Sequence, residues 1–247
     1  MARKTARRPA RSRSRRRTTK AGGWVWRVLG LLVLLAAGGA AWWWWNLGEW
    51  RPDETAWPRQ GAHIGEADGP VSFDTLRGLG ARFVYLDASL GAERTDAQFS
   101  DHYAQARAER LRIGAVHRFD PCVVADGQSA RFVTTVPRDA ELLPPAIWLE
   151  QLGDTCPDRV TPAAIRSELT TLVNQIEAHA GKPVILAIGE DFEEAYGIAA
   201  RMDRQIWLHR NRIEPEYGGR PWLIWTANDR FRTEAADAPL RWLVARR

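Results

Sequence analysis

Between residues 61 and 227 short apolar runs alternate with helical patterns, and no other feature limits the fold as strongly. GAHIGE reads as a short strand and VSFDTLRGLG as a short helix closed by glycine. ARFVYLDAS, rich in β-branched and aromatic residues, reads as a strand. In DAQFSDHYAQARAERLR the residues Phe99, Tyr103, Ala106 and Arg110 recur at steps of three and four, the spacing of one helix face. RIGAVHRF is then a strand, QSARFVTTVP a helix and PPAIWLEQL a strand. TPAAIRSELTTLVNQIEAHAG is the clearest helix, with Thr161 as cap, Pro162 at its first position and Gly181 at its end. KPVILAIG, RQIWLHR and RPWLIWTA are three more strands with little helix between them. Such alternation predicts a mainly parallel sheet with helices outside. With no glycine-rich phosphate loop, the pattern favours a barrel over a dinucleotide fold.

The residues before this region are of another kind. Residues 1–20 hold ten Lys/Arg and no acid, so the rest of the chain has 25 basic against 30 acidic residues, and the net charge of +5 belongs to the tail. Residues 28–45 contain no charged or polar side chain over eighteen positions, with tryptophans at both ends. That length fits a bilayer span and the tryptophans an interfacial belt, while the one-sided positive charge keeps the tail in the cytoplasm. The sequence therefore predicts a basic cytoplasmic tail over 1–23, a transmembrane anchor over 24–45, a tether over 46–60 and an exported domain over 61–247. This is a single-pass arrangement in a bacterial inner membrane with a periplasmic domain. Gly39-Ala40-Ala41 would suit a signal peptidase, but four tryptophans after it make a poor cleavage context. The topology already accounts for the tail, so no nucleic acid is expected as a partner.

Cys122 and Cys156 are the two cysteines, both on the exported side. In an oxidising compartment they read as one disulfide, the alternative being two buried thiols. The histidine spacings make no metal site, and no cofactor motif is present. His102 and His179 lie in helical patterns and read as partly exposed.

Several runs, in order, resemble the family 25 glycoside hydrolases, lysozymes that cut peptidoglycan glycan strands. GAHIGEADGPVSF stands where that family opens with glycine–isoleucine–aspartate–valine–serine. GARFVYLDASLG is similar to its second strand, and DAQFSDHYAQARAERLRIGAVHRFDPC to its third unit, including Gly114-Ala115 and His117. LLPPAIWLEQLGDTC corresponds to its catalytic strand, normally aspartate–any–glutamate, and GKPVILAIGEDF and GGRPWLIWTA to its late strands. The similarity covers about residues 60–228. It implies a flattened, incomplete (β/α) TIM-like barrel, an α/β fold with the substrate groove at the strand C-termini. It also places both cysteines beside matched strands, which supports a disulfide between neighbouring loops.

The resemblance makes Glu150 the general acid, which an apolar setting would help to keep protonated. Other groove positions differ. The aspartate two residues before the glutamate is Trp148, the first-strand aspartate is His63, and the lysine and glutamate of the second strand are Asp87 and Leu90. The fifth-strand tyrosine falls at Leu186, and the late glutamine–tyrosine pair at Thr226 and Ala227. Three readings follow. In the first, a muramidase uses Glu150 as acid with His63 or Asp87 as partner, and turns over slowly because a two-carboxylate site has lost a member. In the second, a peptidoglycan-binding module stacks Trp148, Trp222 and Trp225 on sugar rings. In the third, the domain is a structural remnant.

Overall fold

The computed structural model describes residues 21–246, without the side chains of residues 21–23, 41 and 43–46. The basic tail over 1–20 lies outside the described residues. The chain divides into two compact units, residues 1–45 and 46–247.

In the first unit the apolar segment is helical, within α1 (Ala21–Glu49), and Trp24, Trp26, Leu31, Leu34 and Trp42 are exposed by more than half. Among the described residues no helix is long and apolar enough to cross a membrane. At the end of the apolar run, residues 41 and 43–45 are among the side chains not described.

The second unit contains β1 (Gln60–Ile64), α2 (Phe73–Gly78), β2 (Ala81–Leu90), β3 (Arg94–Thr95), α3 (Phe99–Ala108), β4 (Arg112–Arg118), α4 (Ala125–Thr135), β5 (Ala146–Leu149), α5 (Pro162–Ala180), β6 (Ile185–Ile188), α6 (Glu190–Tyr196), β7 (Gln205–His209), β8 (Ile224–Phe231) and β9 (Leu240–Ala245). The strands pair in the order β1-β9-β8-β7-β6-β5-β4-β2-β3, and β1 also pairs with β2, so eight strands close into a ring with β3 as an appendage of β2. Seven ring strands run parallel to their neighbours, while β9 is antiparallel to both β8 and β1. The barrel is thus incomplete in its helices but closed in its hydrogen bonding. The strand that closes it, β9, comes from the C-terminal APLRWLV segment that the apolar-run pattern left unassigned, and the short α6 follows β6 where little helix was expected.

Strand parity sorts the core into two layers. Phe83, Tyr85, Val116, Ala146, Trp148, Ile185, Ala187, Trp207, Ile224 and Leu243 fill the barrel, and their strand neighbours face the helices. Strands covered on both faces read as continuous apolar runs, and all four residues of β5 are buried. The aromatic interior needs space from opposite strands. A Cβ on Gly114 would stand 2.3 Å from the Tyr85 ring, and one on Gly61 would stand 2.3 Å from the Phe83 carbonyl oxygen. Outside, α5 buries Ile165, Leu169, Leu172, Val173 and Ile176, worth about 1.5–3 kcal/mol for each fully buried side chain. Thr161 accepts from the Ala164 N–H at 3.2 Å, and Gly181, with φ 65°, ends the helix.

Residues 46–60, read as a tether, belong to this unit. The Leu47 carbonyl accepts from Arg212 Nη2 at 2.7 Å, that of Trp50 from Asn228 Nδ2 at 2.8 Å, and Gln60 Nε2 donates to the Pro52 carbonyl at 2.8 Å. Trp50 and Trp57 pack against the outer core. Two tryptophans in a polar, proline-containing stretch supply the apolar surface that holds it down. His102, expected partly exposed, is buried against Phe73 with Nε2 at 3.2 Å from the Gly69 carbonyl oxygen.

Candidate active site

At the C-terminal ends of the parallel strands the inward-facing positions change from apolar to charged. On β2 the lumen series Phe83, Tyr85 ends in Asp87. On β4 the series Gly114, Val116 ends in Arg118, and on β5 the series Ala146, Trp148 continues to Glu150. His63 on β1, His209 on β7, Thr226 on β8 and Arg241 on β9 complete the layer, with Arg241 opposite His63 in the β1–β9 register. This is the end at which barrel folds assemble functional sites.

A chain of polar contacts crosses this layer. His63 is fully buried, with Nε2 2.8 Å from Asp87 Oδ1. Arg118 Nη1 donates to Asp87 Oδ2 at 3.2 Å, and Arg118 Nη2 lies 3.5 Å from Glu150 Oε2. Trp148 Nε1 donates to the same Glu150 oxygen at 2.8 Å. One guanidinium therefore joins the two carboxylates, and Arg118 also lies over the Trp148 ring at 5.5 Å. Trp148 is a hub in the same layer, its ring 4.7 Å from that of His63, 4.3 Å from His209 and 5.4 Å from Trp207. Thr226 Oγ1 accepts from Trp207 Nε1 at 2.8 Å and bonds His209 Nδ1 at 2.9 Å.

The charges follow from these contacts. Burial drives His63 below the ordinary histidine range, opposed by Asp87 and reinforced by Arg241 and Arg118. Burial would raise Asp87, but His63 and Arg118 outweigh it and hold the carboxyl below its usual range. Both directions describe one state: an ionised Asp87 accepting from a neutral His63 whose proton is on Nε2, an assignment that rests on the hydrogen bond. Nδ1 of His63 is then a buried acceptor without a partner. His209 is pushed down to about 3, by burial first and then by the charges around it, and its Nε2 is likewise unpartnered.

Glu150 does not have the enclosure expected of it. Its side chain is 66% exposed and stands beside a cation rather than in an apolar pocket. It faces a groove of about 410 Å³ whose walls include Trp148, Glu190, Asp191, His209, Asp229 and Arg241. Asp87 and Arg118 border a second recess of about 220 Å³ with Glu66, Arg94 and Asp96. Among the described residues no group of three His, Cys, Asp or Glu side chains could hold a metal ion.

Of the residues singled out in the sequence, His63, Asp87, Trp148 and Glu150 come together. Trp222 and Trp225 do not. They are 3% and 4% exposed, in the layer outside the strands, with the Trp57 ring tilted against Trp222 at 5.4 Å and edge-on to Trp225 at 6.1 Å. Trp225 neighbours Thr226, which faces the lumen, so strand alternation turns its indole outward. Arg118, His209 and Arg241 were missed. Arg118 shares the parity of Gly114 and Val116 within RIGAVHR, and that parity was the available signal. Cys122 and Cys156 form a disulfide with a Cα–Cα distance of 5.2 Å, joining the loop after β4 to the loop after β5. Gln151, next to Glu150, donates to Thr155 Oγ1 at 3.3 Å and Asp120 Oδ1 at 3.4 Å within these joined loops.

A closed, mostly parallel barrel with carboxylates, a guanidinium and aromatic rings at the strand C-termini defines a barrel protein of the enzyme type. The sequence matches the model of the glycosyl hydrolases family 25 over residues 63–233, and the chain belongs to that family. The uncharacterized protein YegX of Escherichia coli is 24% identical over 165 residues, a match spanning 66% of this chain and 58% of that protein. A family 25 glycosyl hydrolase from Bacillus anthracis superposes with a TM-score of 0.72 at 22% identity, covering 80% of this chain and 92% of that one. A bacterial lysozyme from Streptomyces coelicolor gives 0.67 at 18% identity, covering 76% and 92%. The spore cortex lytic enzyme SleM of Clostridium perfringens gives 0.65 at 20% identity, covering 76% and 67%. At these identities the structural likeness speaks to the fold.

Proposed function

We propose that this domain acts on peptidoglycan glycan strands as a slow glycoside hydrolase of the muramidase type. The observation that carries the reading is the joining of Asp87 and Glu150 through Arg118 at the mouth of a family 25 barrel. The structural relatives described as lysozymes and as a spore cortex lytic enzyme point to the same substrate class. Glu150, exposed to the groove, is the group placed to give a proton to the glycosidic oxygen as the sugar C1–O bond breaks. Asp87 is the second carboxylate, with His63 fixing its orientation. Its charge is shared with His63 and Arg118, so less of it reaches an oxocarbenium-like centre, and turnover is correspondingly slow.

The proposed setting is the periplasmic face of a bacterial inner membrane, with the N-terminus cytoplasmic and one span over residues 24–45. Three features support it: the uncharged residues 28–45, the basic residues confined to their N-terminal side, and a disulfide suited to an oxidising compartment.

A second reading, glycan binding without hydrolysis, is favoured by one contact: Trp148 Nε1 occupies a Glu150 oxygen at 2.8 Å. Detergent-solubilised full-length protein and its Glu150→Gln variant, incubated with peptidoglycan sacculi, decide between them. Muropeptide release abolished by the substitution establishes the hydrolase. Cosedimentation without release establishes the binding module, and neither result overturns both readings.

A further inference from the structure

The β4–β5 ladder sets Arg118 opposite Trp148 and closes with the Phe119 N–H on the Trp148 carbonyl at 3.0 Å. Arg118 is inside that ladder, whereas Glu150 is the first residue beyond the end of β5 at Leu149. The Arg118–Glu150 contact, 3.5 Å long with the acid 66% exposed, is too well hydrated to fix the acid alone. Where Glu150 stands depends also on the loop that follows it.

The loops after β4 and β5 differ in their support. In the first, the fully buried Gln128 amide accepts from the Asp120 N–H at 2.9 Å and donates to the carbonyls of Asp120 and Val123 at 2.9 and 2.8 Å. Asp120 Oδ1 accepts in turn from the Cys122 N–H at 2.9 Å. The second loop is anchored at its two ends. Gly153 is buried with its N–H on Tyr196 Oη at 2.8 Å, and Leu152 and Val160 are half-buried against the outer core. Between them, residues 154–159 are exposed apart from the half-buried Cys156. A further hold crosses from this stretch to the first loop. It consists of the Cys122–Cys156 bond and of Gln151 Nε2, which donates to Asp120 Oδ1 at 3.4 Å and Thr155 Oγ1 at 3.3 Å and lies 3.7 Å from Cys122 Sγ. Gln151 directly follows Glu150. A well-supported loop thus braces an exposed one, and the covalent part of the brace is a bond that thiols can open.

We propose that Cys122 and Cys156 form a redox latch on the Glu150 loop. As a disulfide they hold residues 154–159 and Gln151 against the loop after β4. As thiols they release both, and Glu150 loses its fixed place beside Arg118. The reductant is a dithiol. One of its thiolates attacks Cys156 Sγ, in the exposed stretch, the S–S bond breaks, and Cys122 leaves as a thiolate that takes up a proton. The second thiol of the reductant then attacks the reductant sulfur bonded to Cys156 and expels Cys156 in the same way. Two electrons and two protons pass to the protein, and the dithiol leaves as a disulfide. In the periplasmic setting proposed above the oxidised form prevails, so the site takes its set shape after export. What the latch controls rests on the glycan reading above, whereas the latch itself is a property of the two loops.

Full-length protein in detergent is compared before and after dithiothreitol treatment by hydrogen exchange read by mass spectrometry, and iodoacetamide labelling counts the thiols released. Reduction is expected to add two labels and to speed exchange over residues 150–159 at least roughly tenfold, with α5 and β2 unchanged. Cosedimentation with peptidoglycan sacculi is expected to fall several-fold in the reduced protein, and oxidation by a small disulfide to restore it. Cys122→Ser with Cys156→Ser is expected to match the reduced protein and to ignore dithiothreitol. Two labels with unchanged exchange over 150–159 overturn the latch, as does protein that gains no label while folded. Faster exchange throughout the barrel also overturns it, since the bond would then hold the fold and not the loop. A loosened loop with undiminished sacculus binding overturns the control of the site and leaves the glycan reading standing. Sacculi that retain neither form sink the glycan reading, while the exchange result still decides the latch.

Discussion

His63 Nε2 lies 2.8 Å from Asp87 Oδ1, with the histidine fully buried and the aspartate 7% exposed. The pair sits between β1 and β2, the two strands whose parallel pairing closes the barrel, His63 being opposite Tyr85 in register. Asp87 is therefore both a member of the candidate site and a hydrogen-bonded part of the closure.

Asp87→Ala should destabilise the domain by about 3–5 kcal/mol, since it removes one partner of a buried, charge-assisted network and leaves the His63 ring and Arg118 Nη1 without their acceptor. Urea unfolding checks this. A loss under about 1 kcal/mol would mean that the network carries no net stability.

The disulfide closes a loop with a sequence separation of 34. The chain-entropy relation gives about 4 kcal/mol for a loop of this length. Cys122→Ser with Cys156→Ser should lower the melting temperature by at least several degrees. Unchanged melting in the double variant would show that the joined loops gain nothing from the link.

Trp222→Ala should cost about 3–5 kcal/mol, as expected for a large aromatic removed from a packed core. Its effect on glycan binding should be no greater than its effect on the folded fraction. Trp148 is also buried, but it lines the groove, so Trp148→Phe should weaken glycan binding in protein that remains folded. Equal binding losses from these two substitutions, after correction for folding, would return Trp222 to the groove.

His117 is buried between Ser89 Oγ at 2.9 Å and Gln128 Oε1 at 3.2 Å, and burial holds it down to about 4. Its unfolded value is near 6.5, so between these limits the unfolded chain binds the extra proton and folding stability falls as pH falls. The contribution is fully present above pH 6.5 and is lost on acidification toward the folded value, at about 1.4 kcal/mol per pH unit. His63 and His209 act in the same direction. Unfolding free energies between pH 7 and pH 4 should slope accordingly, and His117→Gln should remove about one proton from that slope. An unaltered slope in the variant would assign the acid sensitivity elsewhere.

Much of the scaffold was legible locally. The caps of α5 stand where Thr161, Pro162 and Gly181 placed them, because caps depend on residues within one helical turn. The strands β1, β2 and β4 to β8 fall on their apolar runs, whereas the two exposed residues of β3 lie on none. The same rule failed for β9, whose alternation of Leu240, Trp242 and Val244 with Arg241 and Leu243 is interrupted by an arginine that faces the barrel mouth rather than water. Composition makes residues 46–60 a tether, and two tryptophans docked on the outer layer decide otherwise.

What the sequence determined by itself was periodic and local: which stretches are strands or helices, which side chains share a strand face, and which acid ends β5. Parity says that Trp148 and Glu150 point the same way, but not whether that way is into the barrel. Ring closure supplies that sign. Once β9 pairs with β1 and β1 with β2, one face of every strand becomes lumen, so that Trp225 turns outward while Trp148 turns inward. Closure also sets Arg118 between Asp87 and Glu150 and carries Arg241, 178 positions after His63, to its side. Contacts across such separations leave no pattern within a local window, because they depend on strand order and register and not on neighbouring residues.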